Sequence, residues 1–163
     1  MAIQVAYFHS PIGWLEIRAS KKGITSIRFV DGRGEHANRF PLLQKCKDQL
    51  QEYFDGKRKV FNLPIDLEGT DFQVILWKEL KKIPFGTTIT YGELAKRMGD
   101  PNAERAVGHI CSQNPVCVVI PCHRVIAVDG KLTGYAGGLA RKKWLLDFED
   151  AFPQKDLFAM MGS

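Results

Sequence analysis

The residue types best suited to chemistry in this sequence stand together at Cys122-His123-Arg124, directly after Pro121. A cysteine with an ordinary pKa of about 8.5 is only a few per cent thiolate at neutral pH, and a neighbouring base or positive charge raises that fraction. An imidazole and a guanidinium beside the thiol therefore favour a nucleophile. Adjacent residues of a strand point to opposite faces, so coupling thiol to imidazole needs a turn, a bridging water or a third group. The same pair also fits a buried structural cysteine beside a surface histidine, and the two residue types alone leave both readings open. Cys111 and Cys117 sit on apolar stripes without polar neighbours, and Cys46 lies on the apolar face of a helical pattern. None of the four cysteines forms a CxxC pair, which disfavours a zinc ribbon, a haem-attachment site and a thioredoxin-type centre.

A second cluster lies just upstream. Thr90 and Glu93 have capping-box spacing and open a short helix that ends near Gly99. Asp100 suits an N-cap with Pro101 at the first helical position, and the following helix runs to about Gln113. A short helix, a tight turn and a second helix are the geometry of a helix-turn-helix, whose second helix meets DNA; helical hairpins without a DNA role share the pattern. On that second helix Ala103, Ala106, Val107, Ile110 and Cys111 recur at core-facing spacing, leaving Arg105, Gly108, His109 and Ser112 on the other side. Glycine inside a helix costs about 1 kcal/mol relative to alanine. On an exposed stripe it is either a tolerated defect or room for another backbone to come very close.

These segments need a scaffold, and the first half supplies one. Residues 3–8, 14–19 and 24–30 are rich in β-branched and aromatic side chains, separated by turn residues, and predict an antiparallel meander. Leu42, Leu43, Cys46, Leu50, Tyr53 and Phe54 recur at helical spacing over 41–54, and 57–69 reads as extended, with Pro64 and Gly69 as punctuation. Thr70 and Gln73 cap a helix through Lys82 whose buried face is Phe72, Ile75, Leu76 and Leu80; Val116 to Ile120 reads as a buried extended run. The expected domains are 1–68, a scaffold; 69–150, the chemical half; and 151–163, a tail in which Phe152, Leu157 and Phe158 could pack. The fold class is α/β of the α+β kind.

Of 163 residues, 45% are hydrophobic and 25% charged, values that exclude disorder and fibres, and no apolar run is long enough for a transmembrane helix. The amino terminus lacks the pattern of a secretory signal, which predicts a reducing compartment: cytoplasm, or nucleus in a eukaryote. The net charge is +5. Residues 101–146 hold Arg105, Arg124, Lys131, Arg141, Lys142 and Lys143 against Glu104 and Asp129, most of the excess, although Arg141 to Lys143 also suits a solvated helix face.

Pro121-Cys122-His123-Arg124-Val125 resembles the active-site motif of the O6-alkylguanine-DNA alkyltransferases, the methylated-DNA–protein-cysteine methyltransferases. Phe85-Gly86, Tyr91, Arg105-Ala106-Val107-Gly108, Asn114-Pro115, Tyr135, Gly137-Gly138-Leu139, Trp144-Leu145-Leu146 and Glu149 extend the likeness across about 70–150. The first 68 residues resemble the family's variable N-terminal domain in outline. The resemblance implies a small N-terminal antiparallel sheet plus helix, followed by a mostly helical, winged helix-turn-helix-like domain.

It also implies roles. Cys122 takes an alkyl group from O6 of a damaged guanine, with O4-alkylthymine as the further candidate base. His123 acts as base through a water, Glu149 orients the imidazole, and Tyr91 donates to the departing base. The Val125 and Cys122 carbonyls meet the guanine amine, Tyr135 and the Ala136 backbone line the pocket near O6, and Asn114 braces the active-site turn. Some relatives carry Ser where this chain has Ala136, so a hydroxyl near O6 is missing. Arg105 fills the stack left by a flipped nucleotide. Ala106, Gly108 and Ser112 lie in the minor groove of double-stranded DNA, with little base reading. The expected protein is a monomer without cofactor or membrane contact. It acts once per molecule because a thioether lies outside thiol–disulfide exchange. With only Cys46, His9 and His36 in the N-terminal half, no zinc site is expected there. Rival readings are an alkyltransferase-like lesion binder, which lacks the reactive cysteine that Cys122 supplies, a helix-turn-helix regulator, which needs an effector or dimerisation segment, and a cysteine hydrolase.

Overall fold

In a computed structural model the described residues are 3–34 and 39–151. His36 and all of the expected tail except Ala151 lie outside them. The chain divides into two units. Residues 1–69 and 115–119 form the first; residues 70–114 and 120–163 form the second. The return of 115–119 to the first unit breaks the simple two-block order read from the sequence.

The first unit is built on a meander of β1 (Gln4–Ser10), β2 (Gly13–Ala19) and β3 (Ile24–Val30), paired in the order β1-β2-β3. The register sets Phe8 opposite Leu15 and Ile17 opposite Ile27. Alternation then turns Ala6, Phe8, Leu15, Ile17, Ala19 and Ile27 into the core. The helix α1 (Pro41–Phe54) starts with proline at its first position and buries Leu43, Cys46, Leu50, Tyr53 and Phe54. Burial pushes the Cys46 thiol up to about 12, so it is an inert core group. The free edge of β3 is used twice by passing chain. Ile24 N–H donates to the Pro64 carbonyl (2.8 Å), and further along Ile27 N–H donates to the Pro115 carbonyl (2.9 Å) while Cys117 N–H donates back to Ile27 (2.9 Å). Gly23 permits the first approach, because a Cβ there would fall 2.7 Å from the Pro64 oxygen.

The buried run 116–120 is not uniformly extended as expected. Val118 has φ +70°, a genuine outlier for a β-branched residue, and Val119 N–H donates to the Cys117 carbonyl across it (2.8 Å), closing a three-residue turn. A second such turn follows at Pro121, where Cys122 N–H donates to the Ile120 carbonyl (2.8 Å). These two bends bring the chain to Cys122.

The second unit holds α2 (Asp71–Lys81), β4 (Ile89–Thr90), α3 (Tyr91–Arg97), α4 (Glu104–Ser112), β5 (Val125–Ile126) and α5 (Leu139–Phe148). Thr70 and Gln73 form the complete capping box expected of them. At α3 only half of the box forms: Thr90 Oγ1 accepts from Glu93 N–H (3.1 Å), but the Glu93 carboxylate turns to the Thr90 hydroxyl (3.5 Å), not to its backbone. After Asp100 the chain makes a 3-10 turn over Pro101–Ala103 before α4 begins. On α4 only Val107 and Cys111 are buried; Ala103 and Ile110 are half-buried and Ala106 is exposed. The core stripe is narrower than its spacing implied. Ala106 lies one helical step, about 100°, away from Val107, and that step carries it off the face packed on α3. β4 and β5 pair in parallel, Ile89 with Val125, and tie the segment after Cys122 to the start of α3. No described helix is long and apolar enough to cross a membrane.

Candidate active site

Cys122, His123 and Arg124 occupy one 3-10 turn, which solves the problem that adjacent strand residues diverge. The turn is pinned on both sides. Ahead of it, the Ile120 carbonyl accepts from Cys122 N–H and from Asn114 Nδ2 (2.7 Å), so the buried Asn114 amide fixes the approach to Cys122. Behind it, Val125 N–H donates to the Cys122 carbonyl. Val125 itself is buried in β5. Cys122 carries a reduced thiol, 2% exposed.

The imidazole of His123 is fully buried, with Nε2 2.8 Å from Glu149 Oε2. Glu149 caps the C-terminus of α5, and Asp150 in the left-handed region (φ +54°) turns the chain away after it. Arg124 grips the same carboxylate in bidentate fashion, Nε to Oε1 at 2.8 Å and Nη2 to Oε2 at 3.0 Å, and donates Nη1 to the Ile83 carbonyl (2.7 Å). A Cβ on Gly86, whose φ is +79°, would fall 3.2 Å from the Glu149 carbonyl oxygen, so glycine keeps the 85–86 turn close to the acid.

The electrostatics follow from burial and pairing. Burial acts to raise the Glu149 carboxyl, but hydrogen bonds from His123 and Arg124 outweigh it and hold the group well below the usual carboxylate range. Burial is also the leading effect on His123 and lowers it against the pull of Glu149, while Arg124 and Lys142 reinforce the lowering. The resting pair is thus a carboxylate and a neutral imidazole. A carboxylate can only accept, so Nε2 carries the proton and Nδ1 is left with its lone pair. Nδ1 has no hydrogen-bond partner among the described residues. The Tyr135 ring stands edge-on to this imidazole, centroids 6.3 Å apart.

Lys142, in a cationic run whose composition suits a solvated helix face, is instead buried against Tyr91. Lys142 is 0% exposed, its Nζ donating to the Thr133 carbonyl (2.7 Å) and to the Tyr91 hydroxyl (3.3 Å). Thr133 Oγ1 also donates to that hydroxyl (3.1 Å), which in turn reaches the Thr133 carbonyl (3.3 Å). Burial pushes the Lys142 ammonium down to about 8, the Cys111 and Cys122 thiols opposing. Burial likewise raises the Tyr91 phenol, Thr133 opposing and the two thiols adding to the rise. Tyr91 and Lys142 therefore form a buried proton-bearing pair within electrostatic reach of the thiol. The spacing signal for Lys142 exists: Lys142, Leu145, Leu146 and Glu149 fall at i, i+3, i+4 and i+7, the buried stripe of α5.

Tyr91 also forms part of the wall of an open cleft of about 1010 Å³, shared with Asn102, Glu104, Arg105, Gly108 and Gly134. Arg105, Gly108 and Ser112 lie on its α4 side, Ser112 closing the helix with its hydroxyl donating to the His109 carbonyl (2.6 Å), while Ala106 is exposed outside the lining. A Cβ on Gly108 would meet Tyr91 at 3.8 Å, an ordinary contact, so nothing inside the unit requires glycine there. Ala136 is exposed in the turn where Gly138 N–H donates to the Tyr135 carbonyl (2.9 Å). Two of the cations counted toward a basic surface, Arg124 and Lys142, are buried and contribute nothing to one. Among the described residues no group of three His, Cys, Asp or Glu side chains could hold a metal ion.

A sheet-and-helix unit joined to a helical unit with a buried thiol, imidazole and carboxylate defines a DNA-alkyltransferase architecture, and comparison with known proteins agrees. Residues 71–151 match the DNA-binding domain of 6-O-methylguanine DNA methyltransferase, and residues 3–67 match its ribonuclease-like domain. The methylated-DNA–protein-cysteine methyltransferase of Methanosarcina acetivorans is 41% identical over 150 residues, covering 88% of this chain and 96% of the relative. That of Mycobacterium bovis is 42% identical over 153 residues, covering 91% and 93%. The crystal structure of Mycobacterium tuberculosis OGT in complex with DNA superposes with a TM-score of 0.82 at 41% identity, covering 95% of this chain and 99% of the other. The chain belongs to the methylated-DNA–protein-cysteine methyltransferases, DNA-repair enzymes that work by alkyl transfer.

Proposed function

We propose that this protein repairs O6-alkylguanine in duplex DNA by moving the alkyl group to Cys122, once per molecule. The observation that carries the reading is the buried chain from Arg124 through Glu149 to His123, which leaves imidazole Nδ1 as the one basic atom of the ring, on the residue that follows Cys122 in the same turn. The Cys122 proton passes through a water to Nδ1, and the Glu149 carboxylate stabilises the imidazolium that forms. The sulfur attacks the alkyl carbon, the carbon–oxygen bond breaks, and the electron pair goes to the guanine. Tyr91 gives the departing base a proton, which Lys142 replaces from its 3.3 Å hydrogen bond. The Val125 carbonyl and the backbone at Tyr135 and Ala136 receive the base, and Asn114 keeps the turn rigid under it.

The target atom lies inside the stack, so the nucleotide must be extruded, at a cost of a few kcal/mol. The second unit is the DNA-binding half, with α3 and α4 as its helix-turn-helix. Arg105, exposed on α4, fills the gap. Gly108 and Ser112, one turn apart, form a low-relief strip for the minor groove with exposed Ala106 flanking it across the helix, and the absence of an internal need for glycine at 108 supports this use. The protein acts as a monomer. The test is intact mass after incubation with duplex DNA carrying O6-methylguanine. One added methyl on Cys122, saturating at one per protein, is expected; no gain by the reduced protein would overturn the reading.

A further inference from the structure

Glu104 opens α4 immediately before Arg105 and lines the same cleft as Arg105, Gly108 and Tyr91. It is exposed, and its side chain makes no hydrogen bond or ion pair with any described residue. Its position is defined: a Cβ on Gly92 would lie 3.7 Å from Glu104 Oε2, so the carboxylate rests against the start of α3, on the wall of the cleft. A carboxylate at this place is unexpected on electrostatic grounds, since the surface around it must meet polyanionic DNA.

The edge chemistry of the minor groove gives it a use. There an A·T pair offers only acceptors, adenine N3 and thymine O2, while a G·C pair adds one donor, the guanine N2 amine. An ionised carboxylate can only accept. Opposite A·T it is desolvated against other acceptors; opposite G·C it gains a charge-assisted hydrogen bond. We propose that Glu104 makes this protein's binding and repair depend on the base pairs flanking the lesion, favouring guanine through its N2 amine. The inference rests on the minor-groove reading of α4 proposed above. It gives the protein a preference for context while the lesion itself is taken by the pocket around Cys122.

The experiment uses duplexes with one O6-methylguanine whose flanking pairs are G·C, I·C or A·T, inosine being guanine without the N2 amine. Affinity and the rate of methyl transfer are measured for the wild type, for Glu104→Gln and for Glu104→Leu. In Glu104→Gln the amide that replaces the carboxylate is isosteric with it and can both donate and accept, so the substitution removes the discrimination and keeps the side chain's size. Wild-type protein is expected to favour G·C over I·C flanks by roughly fivefold, the worth of one charged hydrogen bond at a partly wet site. Glu104→Gln brings that ratio near one while still transferring methyl groups. Equal wild-type values for G·C and I·C, with transfer proceeding, overturn the role of Glu104 and leave the repair reading intact. A ratio that persists in Glu104→Leu, whose side chain offers the amine no acceptor, assigns the effect to DNA deformability and also overturns it. No transfer from any duplex overturns the repair reading, and this inference with it.

Discussion

Glu149 accepts from an imidazole and a guanidinium at once, and both of its oxygens are engaged. Removing it would leave Arg124 buried without a counter-charge, so the acid is structural as well as chemical. Two titrations bound the working range. In the proposed mechanism His123 must be neutral to take the thiol proton, and burial lowers its pKa, so transfer should fall with acid only below the ordinary histidine value of 6.5. Lys142 must be charged to resupply Tyr91, and its pKa is pushed down to about 8, so transfer should fall again above that pH. A pH profile of single-turnover methyl transfer checks both limbs. Lys142→Met should slow transfer about a hundredfold at neutral pH and abolish the alkaline limb; a retained limb would remove Lys142 from the relay. Cys122 and His123 were legible because adjacent residue types announced them. Glu149 lies far along the chain, and no spacing rule links it to them; only the family likeness did. Lys142 hid in a cationic triplet. Three successive helical residues sweep more than half the circumference, so one had to turn inward, and the leucines at 145 and 146 decided which.

At the scale of elements, α4 combines a narrow buried stripe, Val107 and Cys111, with Gly108 and Ser112 one turn apart on the cleft side. A side chain as small as a methyl fits at Gly108 without strain, and alanine is the better helix former. Gly108→Ala should therefore raise stability by about 0.5–1 kcal/mol while weakening binding to duplex DNA. Urea denaturation beside a DNA titration reads the two effects, and unchanged affinity would show that the glycine serves no outside partner. Helices and meander strands were readable because their periods of 3.6 and 2 leave marks in the sequence, and Thr70 with Gln73 marked an N-terminus. The two three-residue turns before Cys122 left none. Nothing in a run of valines forecasts a positive φ at Val118, since that conformation is imposed by the surrounding backbone and opposed by the residue's own preference.

For the whole molecule, the consequential feature is the return of 115–119 to the free edge of β3. A fragment beginning at residue 69 keeps every residue proposed to touch DNA, yet it removes Ile27, the backbone partner of Pro115 and Cys117 in the segment that leads to Cys122. Such a fragment should lose cooperative urea unfolding and slow methyl transfer more than about tenfold; a fragment that unfolds cooperatively and transfers at the full rate would refute this. The same return fixes an order of events in synthesis. The sheet emerges from the ribosome early and residues 64–66 cover its edge at Ile24, but the edge at Ile27 stays uncovered until the entire helical stretch 70–114 has been made and Val116 follows it out. The first unit is therefore completed only as the nucleophile itself is being synthesised, so a chain stalled between the two exposes an unpaired strand edge, a natural place for a chaperone to bind.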